Sequence, residues 1–579
     1  MNGAASQESA HHAGKRDVEL YIRTYITLLR SSGEVKLKTL VQTHCGMHAS
    51  LHADAMKQTP DMSAFIYAIN RLPECIVRAR RILLGQSAYT FANQNIDVES
   101  WQKVSAPGRR RHWYYDGDAT MAAYIASSSD VDDLIPTLVA FQIEWNKFHQ
   151  LLAADDAVRT LVQDFPPRDS PYFELPSGQL RERCHVAPDD WSRLLTLWGD
   201  QFGANLRAMA AAEKNFTARM LGGTYVGYAR ATKKWWQPIA EELRARGLKS
   251  APFYFVSSNP YSLVNLVSGV ARRHKDELIR FVTSEQDHEL FPEYEKLVAG
   301  KSNSSWDNFL YYAAKKYLAR QSDAPLLQQR AQEETERGII DVPSRQSLEI
   351  DAQVFELAQF RPEDLDPRLG PIDAKALRNS NAVVLNIDYP LGLCAYHLLL
   401  EIAGNISSLL GVYIVGKAAT LNGNIGDVLL ADVVFDEHSE NTYWINNAFT
   451  AQDISPYLIY GSVLDNQKAV ATKGTFLQNR HYLDFYYKEH HTVVEMEAGP
   501  YLSACYEIAS PVRHPQGEDV FLNRLPFELG ILHYASDTPY TRARTLGARK
   551  LSYFGMDSTY AAAVATWRRI LKREGCCNP

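Results

Sequence analysis

Apolar residues recur at spacings of three and four through DVELYIRTYITLLRSS, MSAFIYAINRL and LIPTLVAFQIEWNKFHQLL, the rhythm of helices with one buried face. From Val18 to about Leu243 this rhythm dominates and predicts a mainly helical N-terminal domain over residues 17–320. Residues 1–16 lack it and are expected to form a flexible tail. At Phe253–Val256 the period changes to a short apolar run, followed by a turn at Ser257–Pro260 and renewed helical spacing, which hints at one strand–loop–helix unit. Residues 321–380 are rich in charge, Gln and Pro, and read as a connecting segment. From residue 381 to 579 apolar runs alternate with helical stretches: AVVLNID, LGLCAYHLLLEIAG, GVYIVGK, DVLLADVVF, then TVVEMEAG and FELGILHYASD. That alternation predicts an α/β domain of three layers, with helices on both faces of a largely parallel sheet.

In such sheets ligands bind beyond the carboxyl ends of the strands, so the residues that follow each apolar run are the candidates for chemistry. Four ends stand out: Val415–Thr420 with the turn that follows it, Thr472–Phe476, Val494–Ala498 and Tyr534–Asp537. Each can also be read plainly. A Gly-containing turn after a strand is usually only a turn, a Glu at a strand end often caps the next helix, and Asp537 can simply open the turn at Pro539.

With 579 residues the chain exceeds a single core, so two or three domains are expected. Hydrophobic residues make up 46% and charged residues 22%, which favours a folded chain. A net charge of −6 lacks the basic excess of a general nucleic-acid binder. No run reaches the roughly 20 apolar residues that a membrane helix needs, and the N-terminus is polar where a signal peptide is apolar, so a cytoplasmic protein with no membrane partner is expected. The seven scattered cysteines read as reduced thiols, and no metal or cofactor is expected.

Several clusters in the N-terminal part carry two readings. Arg109, Arg110 and Arg111 beside His112–Tyr115 are either a basic turn or contacts for a substrate phosphate, since guanidinium groups fork onto phosphate oxygens. Ser129–Asp133 resembles a magnesium-type acidic cluster, but a helix cap with acids in the first turn explains it more simply. His44, His48 and His52 fall at i, i+4 and i+8 on one helical face, with no carboxylate or Cys at a spacing that completes a metal shell. Glu144, Trp145, Asn146 and His149 suggest a satisfied buried network, and Ser257–Asn259 a strand-end contact.

The C-terminal motifs resemble the nucleoside phosphorylase and nucleosidase superfamily. VVEMEAGPYLSACYEIA is similar to its V-E-M-E-A strand-to-helix motif, ASDTPY to its S-D motif, and GKAATLNGNIGDVLLADVVFDEHS to its segment from the Gly-rich turn into the next strand. TKGTFLQN falls where those enzymes carry the aromatic residue over the base. Within the superfamily the likeness is nearest to AMP nucleosidase and methylthioadenosine/S-adenosylhomocysteine nucleosidase. The resemblance implies a nucleoside-phosphorylase-like fold for residues 381–579, Asp537 as the acid at the base, Glu497 and Met496 at the ribose, and Phe476 stacked on the base. It adds Glu495, Leu477, Ala419, Gly416 and Ser536 as substrate contacts, and Lys417 as a phosphate contact alongside Arg109–Arg111. The expected reaction is hydrolysis of the N-glycosidic bond of a purine nucleoside or nucleotide, with AMP-like substrates favoured. Phosphorolysis and a non-catalytic nucleotide sensor are the alternatives, and self-association is expected from the superfamily. The chain departs from the pattern at Asn386–Gly392 and at Ala418–Thr420, where the superfamily has glycine-rich turns near phosphate or water.

The residue chemistry agrees. Breaking an N-glycosidic bond builds positive charge on the sugar and negative charge on the base, so it calls for an anion at the sugar and a proton donor at the base.

Overall fold

Two sheets organise the chain, and the computed structural model describes residues 2–31, 33–154, 156–285, 290–320, 325–345, 347–538 and 555–577. The first sheet contains β1 (Val35–Lys36), β2 (Arg81–Gly85), β3 (Gln102–Ala106), β4 (Arg109–Tyr115), β5 (Thr120–Tyr124) and β6 (Thr217–Met220), in the spatial order β1-β6-β2-β5-β4-β3. Strand β2 runs parallel to β5 and β6, while β3, β4 and β5 form antiparallel hairpins. The N-terminal part is thus mainly helical around a sheet that the helical rhythm did not announce. These strands hold at most seven residues, and β4 opens on three arginines, so neither length nor alternation marks them. The helix Ser128–Leu152 is buried along most of its length. It starts at Ser127 in a capping box with Asp130.

The second sheet contains β7 (Pro252–Ser258), β8 (Ile339–Val342), β9 (Ala352–Glu356), β10 (Val383–Asp388), β11 (Ser408–Thr420), β12 (Val428–Asp436), β13 (Thr442–Trp444), β14 (Val463–Ala471), β15 (His491–Glu495), β16 (Asp519–Phe521) and β17 (Glu528–Asp537). Its order is β16-β13-β12-β14-β15-β11-β7-β10-β9-β8, and β17 pairs with both β11 and β12. The strands β12, β14, β15, β11 and β17 therefore close a ring, and the parallel strands β7 and β10 extend it. Every residue of β10 is buried, as a central strand covered on both faces requires. The helices Cys394–Ala403 and Ala498–Ala509 pack together on one side. The helix Met556–Arg573 is anchored by its Trp567 indole, which donates to the Leu263 carbonyl at 3.0 Å.

Three expected boundaries shift. Strand β7 lies inside the second sheet, between β10 and β11, so the C-terminal α/β part begins near residue 250 and not at 381. The link to it is the helix Tyr225–Ala245, whose Trp235, Trp236 and Ile239 join the second core. The expected connecting segment is packed structure: β8 and β9 form a hairpin on β10, and short helices flank them. Its charges are compatible with burial because they pair, Arg337 with Asp364 at 2.6 Å and Arg368 with Asp366 at 2.8 Å. Residues expected as a tail belong to the helix Asn2–Ser31, from which Lys15 reaches Glu440 at 2.7 Å. No helix of the described residues is long and apolar enough to cross a membrane, and all seven cysteines are free.

Candidate active site

At the end of β15 the chain passes Glu495, Met496 and Glu497 into the helix Ala498–Ala509. The expectation that a Glu here caps the helix holds for the first glutamate. Glu495 Oε2 accepts from the Glu497 and Ala498 amides, both at 2.6 Å, and so satisfies the helix N-terminus. Glu497 sits at the cap position but makes no side-chain cap bond. Its Oε1 accepts from the Gly392 amide at 3.2 Å. Burial raises the Glu497 carboxyl to about 7, opposed by the Gly392 amide and the charge of Arg109. Burial, then the neighbouring Glu497, holds Glu495 well above the ordinary range. Behind them His533 is fully buried on β17, its imidazole pushed down to about 4 by burial, with Nε2 4.0 Å from Glu495 Oε2.

Glu495, Met496 and Glu497 line a cavity of about 430 Å³ that also receives Gly416, Lys417, Ala418 and Ala419 from β11, and Ser536 and Asp537 from β17. The Ser536 hydroxyl donates to Asp537 Oδ2 at 3.3 Å and to the Ala418 carbonyl at 3.4 Å, which ties the two strand ends together. Ser258 and Asn259 after β7 and Tyr389–Leu391 after β10 complete this side. Gly416 is required by contact: a Cβ there would overlap the Tyr389 ring. Gly392, at φ +51°, lies against the Ser129 side chain, whose Oγ accepts from the Leu393 amide at 2.9 Å.

The opposite wall comes from the N-terminal part: Tyr67, Asn70 and Arg71 at the end of the helix Met62–Arg71, Arg109–His112 on β4, Tyr124 on β5 and Asp130. All three arginines singled out in the sequence face the cavity, but each already has an acidic partner. Arg109 pairs with Asp133 at 2.6 Å, and Arg111 with Asp130 at 2.6 Å and Asp133 at 3.1 Å. Arg110 pairs with Asp388 at the end of β10, joining the two walls. The acidic cluster at 129–133 is therefore both the cap of its helix and the counter-charge of the arginines, and the described residues contain no metal-ligating group of acids, His and Cys.

Two cations on the cavity make no ion pair among the described residues. Arg71, absent from the expectations, has Nε and Nη1 buried with no hydrogen-bond partner, and its guanidinium stacks 3.5 Å from the Tyr67 ring centroid. Burial, with the charge of Arg109, lowers the pKa of its guanidinium, against Tyr67, Asp133 and Asp537, which raise it. Lys417 is the second, lowered by burial and by Arg110 and Arg71, and raised by Asp537. The Tyr389 hydroxyl and Glu495 Oε1 are likewise buried without partners. In sequence Arg71 reads as an ordinary basic residue in a last helical turn, and Tyr389 lies where the chain departs from the pattern of the superfamily that its motifs resemble.

Phe476 and Leu477 are not on the cavity wall. Phe476 is 2% exposed and packs edge-on against Tyr67 at 5.1 Å and His52 at 6.0 Å, and Leu477 joins the N-terminal core. The N-terminal part covers the end of β14 and draws both side chains into the contact between the two halves. Only Thr475 and Gln478 of this segment face the cavity, with Thr475 Oγ1 accepting from the Tyr67 hydroxyl at 2.7 Å. The histidine spacing also dissolves: the helix ends at Gly46, and His48 has a left-handed backbone at φ 51°. His44 and His52 instead hydrogen-bond each other at 2.9 Å, and His52 reaches Glu144 at 2.7 Å, with Lys147 on the same carboxylate at 2.6 Å. This is the satisfied buried network expected around Glu144.

A family model described as a family of unknown function, DUF6909, matches residues 37–572. No curated protein matches the chain. Among solved structures, a putative methylthioadenosine nucleosidase from Weissella paramesenteroides is similar over 43% of this chain and 95% of its own, at 10% identity and a TM-score of 0.27. Uridine phosphorylase from Schistosoma mansoni in complex with thymidine is similar over 57% of this chain and 91% of its own, at 10% identity and a TM-score of 0.29. A methylthioadenosine phosphorylase from an antarctic soil metagenomic library is similar over 33% of this chain and 69% of its own, at 8% identity and a TM-score of 0.24.

Proposed function

The chain belongs to DUF6909, a family of unknown function, and we propose that it hydrolyses the N-glycosidic bond of a purine nucleotide, AMP-like in form, releasing the free base. The observation that carries this reading is the meeting of Glu497, Met496 and Asp537 in one cavity whose facing wall is rich in guanidinium groups. Glu497 takes the sugar hydroxyls, and its bonds to them strengthen as the ring becomes cationic. Met496 packs its thioether on the sugar. Asp537 marks the base end of the cavity. Arg71, whose Nε and Nη1 have no partner among the described residues, is the donor best placed to bind a phosphate oxygen, with Arg109 as its neighbour.

The same unpaired guanidinium supports a second reading, in which free phosphate is the attacking group. One experiment separates them. The purified protein is incubated with AMP, GMP, adenosine, inosine and methylthioadenosine, with and without inorganic phosphate, and free base is followed by chromatography. Release without phosphate supports hydrolysis, and release only with phosphate supports phosphorolysis. Binding of AMP without release from any of them would sink both and leave a nucleotide sensor.

A further inference from the structure

Two strand ends that meet at the base side of the cavity hold Asp537 and Lys417, and the second has no role in the reading above. In the register of β11 with β17, Lys417 lies opposite Tyr534 and Ala419 opposite Asp537, with Ser536 as the extra residue between. Lys417 is exposed to the cavity and makes no hydrogen bond or ion pair among the described residues. Resting on the N-glycosidase reading, we propose that Lys417, and not the Asp537 that the resemblance implies, donates the proton that the departing base takes, with the Asp537 carboxylate lining the same end of the cavity.

Several other groups on the cavity fit the role of proton donor less well. Guanidinium groups do not release a proton in proteins, so Arg71, Arg109, Arg110 and Arg111 can attract an anion but cannot act as acids. Glu495 is engaged in capping, and Glu497 lies against the Gly392 amide at the sugar. His112 lies on the far wall, 3.9 Å from Glu349. Lys417 is faced by Asp537 from β17, which favours its ammonium, and by Arg110 from β4 and Arg71 from the helix Met62–Arg71, which disfavour it. Burial is the largest influence and lowers the lysine, the direction a proton donor working near neutrality needs.

The step balances without any further reactant. As the bond from the anomeric carbon to the base nitrogen breaks, its electron pair goes to the base, which takes a proton from Lys417 Nζ. Water adds its oxygen to the sugar carbon, and the proton it loses restores the ammonium. The products are the neutral base and the free sugar.

The test compares two leaving groups in the wild type and in Lys417→Arg, which keeps the charge but cannot give up a proton. One is the purine nucleotide or nucleoside cleaved in the panel above. The other is 4-nitrophenyl ribofuranoside, whose phenolate departs without a proton. Lys417→Arg is expected to lose about 10²–10⁴-fold in kcat on the purine substrate, and at least tenfold less than that on the nitrophenyl riboside. The alkaline limb of the kcat profile should disappear with it, and methylamine should restore part of the rate to Lys417→Ala. Equal losses on both substrates, or a Lys417→Arg variant as fast as wild type, overturn the proposal and leave the N-glycosidase reading standing. A wild type that cleaves neither substrate overturns both.

Discussion

The two walls of the cavity differ in how the chain builds them. The carboxylate wall is local: Glu495, Met496 and Glu497 follow one strand, and Asp537 ends the strand that closes the same ring. The cation wall is assembled from the end of the helix Met62–Arg71 and from the hairpin strand β4, hundreds of positions earlier in the chain. On the first wall, Glu495 and Glu497 accept from backbone amides, which hold their side chains in place whatever faces them. On the second, three arginines are neutralised by Asp130, Asp133 and Asp388, and Arg71 has no acid partner among the described residues. A wall made from strand ends fixes geometry. A wall brought by another unit sets the charge that a ligand meets.

The largest effect should come where the walls are joined. Phe476 lies in that joint, against Tyr67, His44 and His52. Phe476→Ala should lower stability by about 3–5 kcal/mol through the cavity it opens, read as a fall in melting temperature. Phe476→Leu, which keeps most of the volume, should leave KM unchanged. A tenfold rise in KM at an unchanged melting temperature would return Phe476 to the base.

Next is the carboxylate wall itself. Glu497→Gln should cut kcat by about 10²–10³-fold, the scale of losing one preorganised contact to transition-state charge, and full activity in steady-state assays would remove Glu497 from the sugar. The same residue makes a stability prediction with a definite sign. Its carboxyl titrates near 4.5 when unfolded and about 7 when folded. Between those values the unfolded chain has released a proton that the fold retains, so stability falls as pH rises from about 4.5 to about 7 and is then level. Glu497→Gln removes this penalty, on the order of 3 kcal/mol, and should melt higher than wild type at pH 8 but not at pH 4.5. Equal melting at pH 8 would mean that Glu497 ionises freely in the fold.

On the cation wall, Arg71→Met should raise KM for a nucleotide by roughly 10–100-fold, the range of a hydrogen bond to a charged group. It should not raise KM for the matching nucleoside. Stability should hold or increase, because the substitution removes a buried charge that lacks an acid. Equal effects on nucleotide and nucleoside would take the phosphate away from Arg71.

How much of this was legible in the sequence follows the same division. The alternation from residue 381 onward announces the strands and helices that follow it in the second sheet, and strand-end reasoning leads to Glu497, Asp537 and Lys417, which line one cavity. Strand β7 was visible as an apolar run, but its partners are β10 and β11, more than a hundred residues on, and pairing at that distance leaves no local mark. The arginines of β4 were visible as a charge cluster. Their neutralisation by Asp130 and Asp133 was hidden, because it needs the register of β4 beside the start of the helix Ser128–Leu152. Phe476 was misplaced for a related reason: a motif fixes which strand end a residue follows, and the covering unit decides which way that end is packed.

The smallest expected effect asks whether unpaired polar atoms mark the ligand on both walls or only on the cation wall. Tyr389 is the counterpart of Arg71 on the strand-end side: its hydroxyl is buried with no partner, and its ring lies against Gly416. A buried hydroxyl without a hydrogen bond is a cost that the fold retains. Tyr389→Phe removes it at almost constant volume, so the variant should be as stable as wild type or slightly more so. A ligand that supplies the missing partner recovers about 0.5–1.5 kcal/mol in wild type alone, which corresponds to a rise of about two- to tenfold in KM for the variant. Stability and affinity would then move in opposite directions, as for Arg71 but by less. A variant that is less stable, with KM unchanged, would show that Tyr389 serves the packing of β11 and that only the cation wall was left open for a ligand.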